Sequence, residues 1–374
     1  MTEMKNANTK EYKKRLRRSA VMKALCTFLL FPLTFVSFLS GGFYAARDAL
    51  LFETASVPFT PHGKSRSLRQ SPGENTVAEI EPPYETDAGN TETDKPENAP
   101  DQTADPYFFD RSLVPEGKYG IIPLSMYKPI DGDDMYIKNS SSLQIDYRDY
   151  LKREIDPTLK NEGDYEVLII HTHGTEAYTP KGVFYSDAGY YPRSDDKSEN
   201  VIGIGDVFER IFIEAGIKTL HCEVPIDKSS YSKSYENAAK IIKEFIRDYP
   251  TIRYIFDVHR DSVALSSGEK VKAVTTVNGR IAAQVMFVIG TDKLVRANSN
   301  WGDNFALAIR LQLALNEKYA EFVRPINLKQ GAYNQFYTPF SILIEVGCDG
   351  NTFEEAEYSA VLTAHEIVHI LKGE

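Results

Sequence analysis

From residue 164 onward, short apolar runs alternate with stretches whose apolar residues recur at helical spacing. Residues 165–170 read as a strand whose apolar run, Val167 to Ile170, is of the kind that strands buried on both faces show. Residues 199–215 repeat apolar side chains at helical intervals and stop at Gly216, a helix C-terminal signal. The pattern then predicts a strand over 217–222 and a helix over 235–248. That helix carries Ala238, Ile242, Phe245 and Ile246 on one side and ends before Pro250. A third strand follows over 253–258. Residues 271–277 and 284–289 are expected to pair as strands around Asn278-Gly279, a dipeptide that favours hairpins. A helix over 301–319, a strand over 342–346 and a last helix over 353–371 complete the pattern. Strands alternating with helices, plus one hairpin, predict an α/β domain on a mostly parallel, twisted sheet flanked by helices.

The first 163 residues read differently. Residues 1–23 are rich in Lys and Arg, and 24–46 are 23 uncharged residues crowded with Leu, Phe, Val and Ala. At ~1.5 Å per residue such a helix crosses a ~30 Å hydrocarbon core. The basic flank stays cytoplasmic by the positive-inside rule, which puts the rest of the chain outside. Pro32 and Gly41-Gly42 are compatible with a span. Ala45-Ala46 makes a poor signal-peptidase site and the apolar run is long for a signal peptide, so an uncleaved single-pass anchor is expected. Residues 47–106 are dominated by Pro, Glu, Asp, Thr and Asn and bury too little apolar surface to order themselves, which reads as a disordered acidic spacer. Residues 107–163 regain aromatics without clear periodicity and read as a lead-in with a short helix over 147–154. The net charge of −10 opposes nonspecific nucleic-acid binding. Of three cysteines, Cys26 falls in the anchor, so Cys222 and Cys348 allow one disulfide at most and no disulfide framework.

Candidate chemistry gathers where the expected strands end. The first runs into His171-Thr172-His173, with Glu176 three residues later; the chain has seven His in all. Two apart, His171 and His173 would face the same side of a continuing strand. The third strand ends in His259-Arg260-Asp261, and the late strand runs into Glu345. Ligands of open α/β sheets collect at such ends. Imidazole and carboxylate together suit zinc, which in catalytic sites takes three protein ligands and one water. Each residue alone also fits a satisfied core histidine or a structural ion pair; their coincidence on one sheet edge favours a shared metal site.

A rival lies in the last helix. His365-Glu366-Ile367-Val368-His369 has the H-E-x-x-H spacing of zinc proteases. Such enzymes need a third ligand downstream, and only residues 370–374 remain, with no further His. Gly203-Ile204-Gly205 lacks the third glycine of a dinucleotide fingerprint, and there is no Walker loop or nucleophile elbow.

With these residues in view, the chain resembles the stage II sporulation protein P family, membrane-anchored peptidoglycan hydrolases whose catalytic domain is similar to type 3 N-acetylmuramoyl-L-alanine amidases. The resemblance rests on His171-Thr172-His173 with Glu176 and Tyr178, Asn200-Val201-Ile202 with Gly205, and Asp257-Val258-His259-Arg260-Asp261-Ser262. It continues through Val288-Ile289-Gly290-Thr291-Asp292, Trp301, Asn304, Tyr333-Asn334-Gln335, Leu343-Ile344-Glu345-Val346-Gly347 and Asn351-Thr352. Asn298-Ser299-Asn300 and Cys348-Asp349-Gly350 depart from it.

The resemblance implies a zinc enzyme that frees stem peptides from N-acetylmuramic acid and also cuts peptide crosslinks. Such enzymes act at engulfment beside a lytic transglycosylase and a multi-pass membrane protein. Type 3 amidases supply a His–Glu–His zinc set and a second, catalytic Glu. Zinc ligation then falls to one or both of His171 and His173, to Glu176 and to His259, with Glu199 as the alternative carboxylate. Glu345 is the expected general base, Asp257 or Asp261 the group that orients His259, and Arg260 and Asn334 the substrate contacts. The competing class is a wall-binding or scaffold protein without activity.

The anchor makes a direct prediction: protease added to intact protoplasts should degrade the domain that follows residue 106. Full protection of that domain would contradict the expected topology.

Overall fold

The computed structural model describes residues 105–127, 137–160, 163–291 and 300–374. The expected basic tail, the anchor, the spacer up to residue 104 and residues 298–299 lie outside them. Among the described residues no helix is long and apolar enough to cross a membrane.

Seven strands form the main sheet, in the order β2 (Ile137–Ser140), β10 (Ile326–Gln330), β9 (Val285–Thr291), β11 (Ser341–Cys348), β6 (Tyr254–Asp261), β3 (Val167–Ile170) and β5 (Thr219–His221). A four-stranded sheet runs β4 (Tyr185–Ser186), β1 (Tyr119–Leu124), β7 (Lys270–Val277), β8 (Arg280–Ala283). The helices are α1 (Tyr147–Leu151), α2 (Val201–Glu214), α3 (Ser234–Asp248), α4 (Trp301–Lys318) and α5 (Phe353–Lys372). β1 and β2, inside the expected lead-in, pair with β7 and β10.

Alternation along the central strands sorts the helices onto two faces. Val167 and Ile169 of β3, with Tyr254, Phe256 and Val258 of β6, pack into one buried cluster with α2, α4 and α5. Leu168, Ile170 and Ile255 pack on the other face against Ala238 and Ile242 of α3. This two-faced burial explains why these strands read as continuous apolar runs.

The main sheet is mixed but mostly parallel, as expected: five of its six strand pairings are parallel and one is antiparallel. β11 pairs with β6 in parallel but with β9 antiparallel. The cause lies in the hairpin. Asn278 and Gly279 do make a tight two-residue turn, both with positive φ (48° and 73°). The returning strand is β8, however, in register Val277↔Arg280 to Val274↔Ala283. Fully buried Gln284 then carries the chain from one sheet to the other. Its side chain donates to the Glu321 carbonyl at 2.7 Å and accepts from Met126 N at 2.6 Å, while its own carbonyl accepts from Gly347 N. The 284–289 run, expected as the hairpin partner, therefore enters the main sheet as β9 beside β11.

Two loop–helix junctions set the approach to the strand ends. Asn200 caps α2, its Oδ1 accepting from Ile202 N at 3.0 Å and Gly203 N at 3.3 Å. Thr352 and Glu355 form a capping box on α5, and Gly373 closes that helix with φ 73°. At Gly203 a Cβ would lie 1.8 Å from the Lys197 carbonyl oxygen, so backbone runs against backbone there. Gly203→Ala should therefore destabilise the domain, as overpacking costs about 1–3 kcal/mol and exceeds the ~1 kcal/mol that Ala gains in helix propensity. Urea unfolding read by circular dichroism measures this; an unchanged or raised midpoint would contradict the packing described.

Candidate active site

β3 ends at Ile170, and the chain turns immediately after it. The buried carboxylate of Asp257, on the neighbouring strand β6, fixes that turn. It accepts from Thr172 N at 2.8 Å and from Thr172 Oγ1 at 2.6 Å. The turn sends the two histidines apart, which corrects the expectation that they share a side. His171 points toward α2, where its Nδ1 donates to the Val258 carbonyl at 2.9 Å and its Nε2 meets His221 Nε2 at 2.8 Å. Burial, then the neighbouring His221, push the His171 pKa down to about 3. His173 emerges on the α3 face, its ring stacked on Tyr231 at 4.4 Å, edge-on to Tyr235 at 5.6 Å and to His259 at 5.4 Å.

Around His173 the remaining candidates converge. His259 Nε2 hydrogen-bonds Asp257 Oδ1 at 2.8 Å, and its Nδ1 lies 3.4 Å from Glu176 Oε2. Asp257 is thus the residue that orients His259; Asp261 instead pairs with Arg324 at 2.6 Å. Burial alone would lower the His259 pKa, but Asp257 and Glu176 outweigh it and raise it well above the ordinary value. Burial likewise opposes ionisation of Glu176, yet the hydrogen bond and charge of His259 lower it to about 2. Glu176 also accepts from Tyr191 Oη at 3.0 Å and from Arg260 N at 3.3 Å.

Glu345 on β11 sits in register with His259 on β6. Burial, reinforced by Asp261, pushes its pKa up to about 8, and its Oε2 is shielded with no hydrogen-bond partner. His173 Nδ1 is also buried without a partner. Buried polar atoms are nearly always satisfied; these two are among seven unpartnered ones in the described residues, and a third near the same strand ends is the donor Arg260 Nη1. The donor set of His173, Glu176 and His259, with Glu345 beside them, fits zinc by its chemistry.

Other expected residues stand elsewhere. Arg260 is 2% exposed; its Nε donates to the Ala177 carbonyl at 2.9 Å and its Nη2 to the Pro192 carbonyl at 2.8 Å, with the guanidinium 4.3 Å from the Tyr191 ring. Asn334, at φ 56°, donates from Nδ2 to the Tyr235 carbonyl at 2.9 Å. Glu199 is exposed and accepts from Ser194 Oγ at 2.7 Å. In the last helix His369 Nδ1 faces Glu374 at 3.3 Å and Glu366 faces Lys318 at 4.0 Å. Among the described residues, neither His365 and His369 nor His173, Glu176 and His259 belong to a group of three donors whose ligand atoms all lie within 4.8 Å of one another; Asp206, Glu209, His221 and Glu223 form such a group. Cys222 and Cys348 are both buried and free. Tyr231 and Tyr235 were not anticipated. Tyr231 lies in a 3-10 turn just before α3 and Tyr235 in the first turn of α3; their signal in the sequence is two tyrosines four apart.

Residues 66–368 match the family described as Stage II sporulation protein P. Over 219 residues the chain is 28% identical to the stage II sporulation protein P of Bacillus subtilis (strain 168), covering 55% of this chain and 51% of that protein. The chain thus spans about half the length of that curated relative. Among solved structures it is similar to the N-acetylmuramoyl-L-alanine amidase AmiC2 of Nostoc punctiforme, at 14% identity and a TM-score of 0.34, over 56% of this chain and 97% of that one. It is similar at the same identity and TM-score to the CwlD amidase from Clostridioides difficile, solved in complex with the GerS lipoprotein, over 56% of this chain and 100% of that one.

The raised pKa of Glu345 has a consequence for stability. An acid whose folded value of about 8 exceeds its unfolded value favours folding at low pH and loses that contribution as pH rises toward 8. Chelator-treated Glu345→Gln protein should therefore melt higher than chelator-treated wild type at pH 8.5, by about 1–3 kcal/mol in stability. The two should coincide near pH 4. Equal melting at both values would mean that Glu345 ionises freely in the fold.

Proposed function

Because the chain belongs to the stage II sporulation protein P family, we propose that its folded domain is a zinc-dependent peptidoglycan hydrolase. Its bond is the amide between N-acetylmuramic acid and L-alanine of the stem peptide, with endopeptidase cleavage of crosslinks as a second activity. The observation that carries this reading is the convergence of His173, Glu176, His259 and Glu345 at adjacent strand ends, with His173 Nδ1 and Glu345 Oε2 buried and unpartnered.

His173, Glu176 and His259 would hold the ion, which would polarise the scissile carbonyl and bring the pKa of a bound water toward neutrality. His171 stands outside this set, because its two ring nitrogens are taken by Val258 and His221 on the opposite face. Asp257 holds the His259 ring through Nε2, the support that ligating histidines need. Glu345 takes the proton of the attacking water and returns it to the departing amine. Burial and Asp261 raise its carboxyl against the lowering by His259 and Arg324, and a metal ion held beside it would lower it further, toward the range in which a base works at neutral pH. Arg260 serves the site from inside by offering its backbone N–H to Glu176, and Asn334 serves it by tethering Tyr235 beside His173. The stem peptide's own polar groups then meet the exposed rim around Tyr231.

In this reading the domain works outside the cell membrane, tethered by residues 24–46 and the acidic spacer. It remodels septal wall during engulfment in sporulation, beside a lytic transglycosylase and a multi-pass membrane protein.

Zinc content and release of muropeptides from sacculi, measured on the same preparations, test the assignment. His259→Ala should lose both metal at this site and hydrolysis. Glu345→Gln should keep the metal and lose about 10²–10⁴-fold in rate, the usual cost of removing a general base. His365→Gln should match wild type. A fully active Glu345→Gln protein would place the base elsewhere, and wild-type protein that binds sacculi without releasing muropeptides would make it a wall-binding scaffold.

A further inference from the structure

The segment that brings Tyr191 to Glu176 also carries a guanidinium that the mechanism above does not use. Arg193 pairs with Glu176 in an isolated antiparallel bridge, and Ser194 N donates to the Thr175 carbonyl at 2.9 Å. The Arg193 side chain is fixed at one nitrogen. Its Nη1 donates to Thr175 Oγ1 at 2.6 Å and to the Asp227 carboxylate. The Asp227 side chain is fully buried and also accepts from Thr175 N at 3.0 Å and Thr175 Oγ1 at 2.7 Å. Two rings set the plane of the guanidinium. Its Cζ lies over Tyr231, 4.7 Å from the ring centre, and over Tyr191 at 5.0 Å.

Both rings belong to the candidate site. Tyr191 Oη donates to Glu176 at 3.0 Å, and Tyr231 stacks on the His173 ring at 4.4 Å. Arg193 and His173 therefore touch one and the same ring. What stays open on Arg193 is its other edge. Both Nη1 N–H groups are taken, whereas Nε and Nη2 have no hydrogen-bond partner among the described residues and the side chain is 32% exposed. A buried carboxylate at one nitrogen and a ring on either count leave the guanidinium little freedom to turn. Its free edge is a preformed fork, the shape that matches a carboxylate.

We propose that Arg193 receives a free carboxylate of the substrate peptide, and that it selects stem peptides whose second residue keeps its α-carboxylate unamidated. The identity of the substrate rests on the reading under Proposed function; the anion site itself rests on the Arg193 geometry. Chemistry singles out the carboxylate. On the sugar side the lactyl carboxyl of N-acetylmuramic acid is consumed in the scissile amide, so no free acid remains there. On the peptide side L-alanine is followed by D-glutamate joined through its γ-carbonyl, and its α-carboxylate is the first free anion after the cleaved bond. A peptide advances ~3.3–3.6 Å per residue, so L-alanine can lie at His173 while the next residue reaches the guanidinium beside the same tyrosine. Arg193 makes and breaks no bond. It binds and orients the peptide, and Asp227 is the positioning residue that holds it in place.

Two synthetic N-acetylmuramoyl peptides test this. They differ only at the second residue, D-glutamate with its α-carboxylate free or amidated, and a ketomethylene replaces the scissile amide so that neither is cut. Each is titrated by calorimetry into the zinc-equilibrated full chain in detergent. The free acid should bind about tenfold tighter than the amide, the effect of one added charge-assisted pair. Equal affinities overturn the proposal. Arg193→Met should bring the ratio of the two affinities close to one. Arg193→Lys keeps a positive charge for Asp227 but loses the fork, so it reads the same ratio if the Met variant fails to fold, and the ratio should fall several-fold. A full preference in either folded variant overturns the assignment to Arg193. Hydrolysis of the cleavable counterparts separates the two readings. Equal cutting of both peptides, unaltered by Arg193→Lys, keeps the proposed function and discards this inference. An Arg193-dependent preference in binding with no product released discards the proposed function and leaves a peptide-carboxylate site.

Discussion

The arrangement at the strand ends depends on one buried carboxylate. Asp257 is 6% exposed and accepts from the backbone N–H and the hydroxyl of Thr172 and from His259 Nε2. Burial raises its pKa, but His259 and Thr172 outweigh that and hold it ionised. A charge so deep costs several kcal/mol unless every lone pair finds a donor, and these contacts come from two different strand ends. Asp257 therefore does two things at once. It closes the turn that carries His173 onto the α3 face, and it fixes the ring of His259 with Nδ1 toward Glu176. Removal of either partner would leave the carboxylate uncompensated, so the turn and the ring orientation are coupled.

The alternation of β3 and β6 divides labour between the two faces of the sheet. On the α3 face, His173, Glu176, His259 and Glu345 form a group with open donor capacity, rimmed by Tyr231, Tyr235 and Tyr333. On the α2 face, His171 and His221 form a closed pair whose outer nitrogen meets carboxylates. A single Thr172 separates the two histidines in sequence. Burial keeps His171 neutral, and its contact with His221 gives it a supporting part in the fold.

Much of this was legible in the residues and some was not, for identifiable reasons. The helices and central strands follow from apolar spacing, caps and the glycine and proline stops, and they fall within a few residues of the expected bounds. Polar residues interrupting three apolar runs singled out the strand ends, and the fold brings His173, Glu176 and His259 together there. The face of each histidine was not legible, because period-two reasoning holds only while the strand continues and β3 ends at Ile170. Nor was the burial of Arg260: its place after a strand reads as a substrate contact or a surface ion pair, whereas two carbonyls and the Tyr191 ring hold it inside, with Nη1 left unpartnered. The one antiparallel pairing of the main sheet, β9 with β11, was hidden for a related reason. The Asn278-Gly279 turn fixes a hairpin, but the crossing at Gln284 depends on partners as distant in sequence as Met126 and Glu321. Long-range hydrogen bonds of this kind leave no local pattern.

The central claim is that the turn after β3 delivers His173, and not His171, to a metal shared with Glu176 and His259. Anomalous diffraction at the zinc edge from crystals of the zinc-loaded protein addresses it directly. The account predicts a peak bonded to His173, Glu176 and His259, with Asp257 still on the second nitrogen of His259. A structure with no peak there, and the catalytic-face zinc held instead by His171 or by His365 and His369, would contradict it.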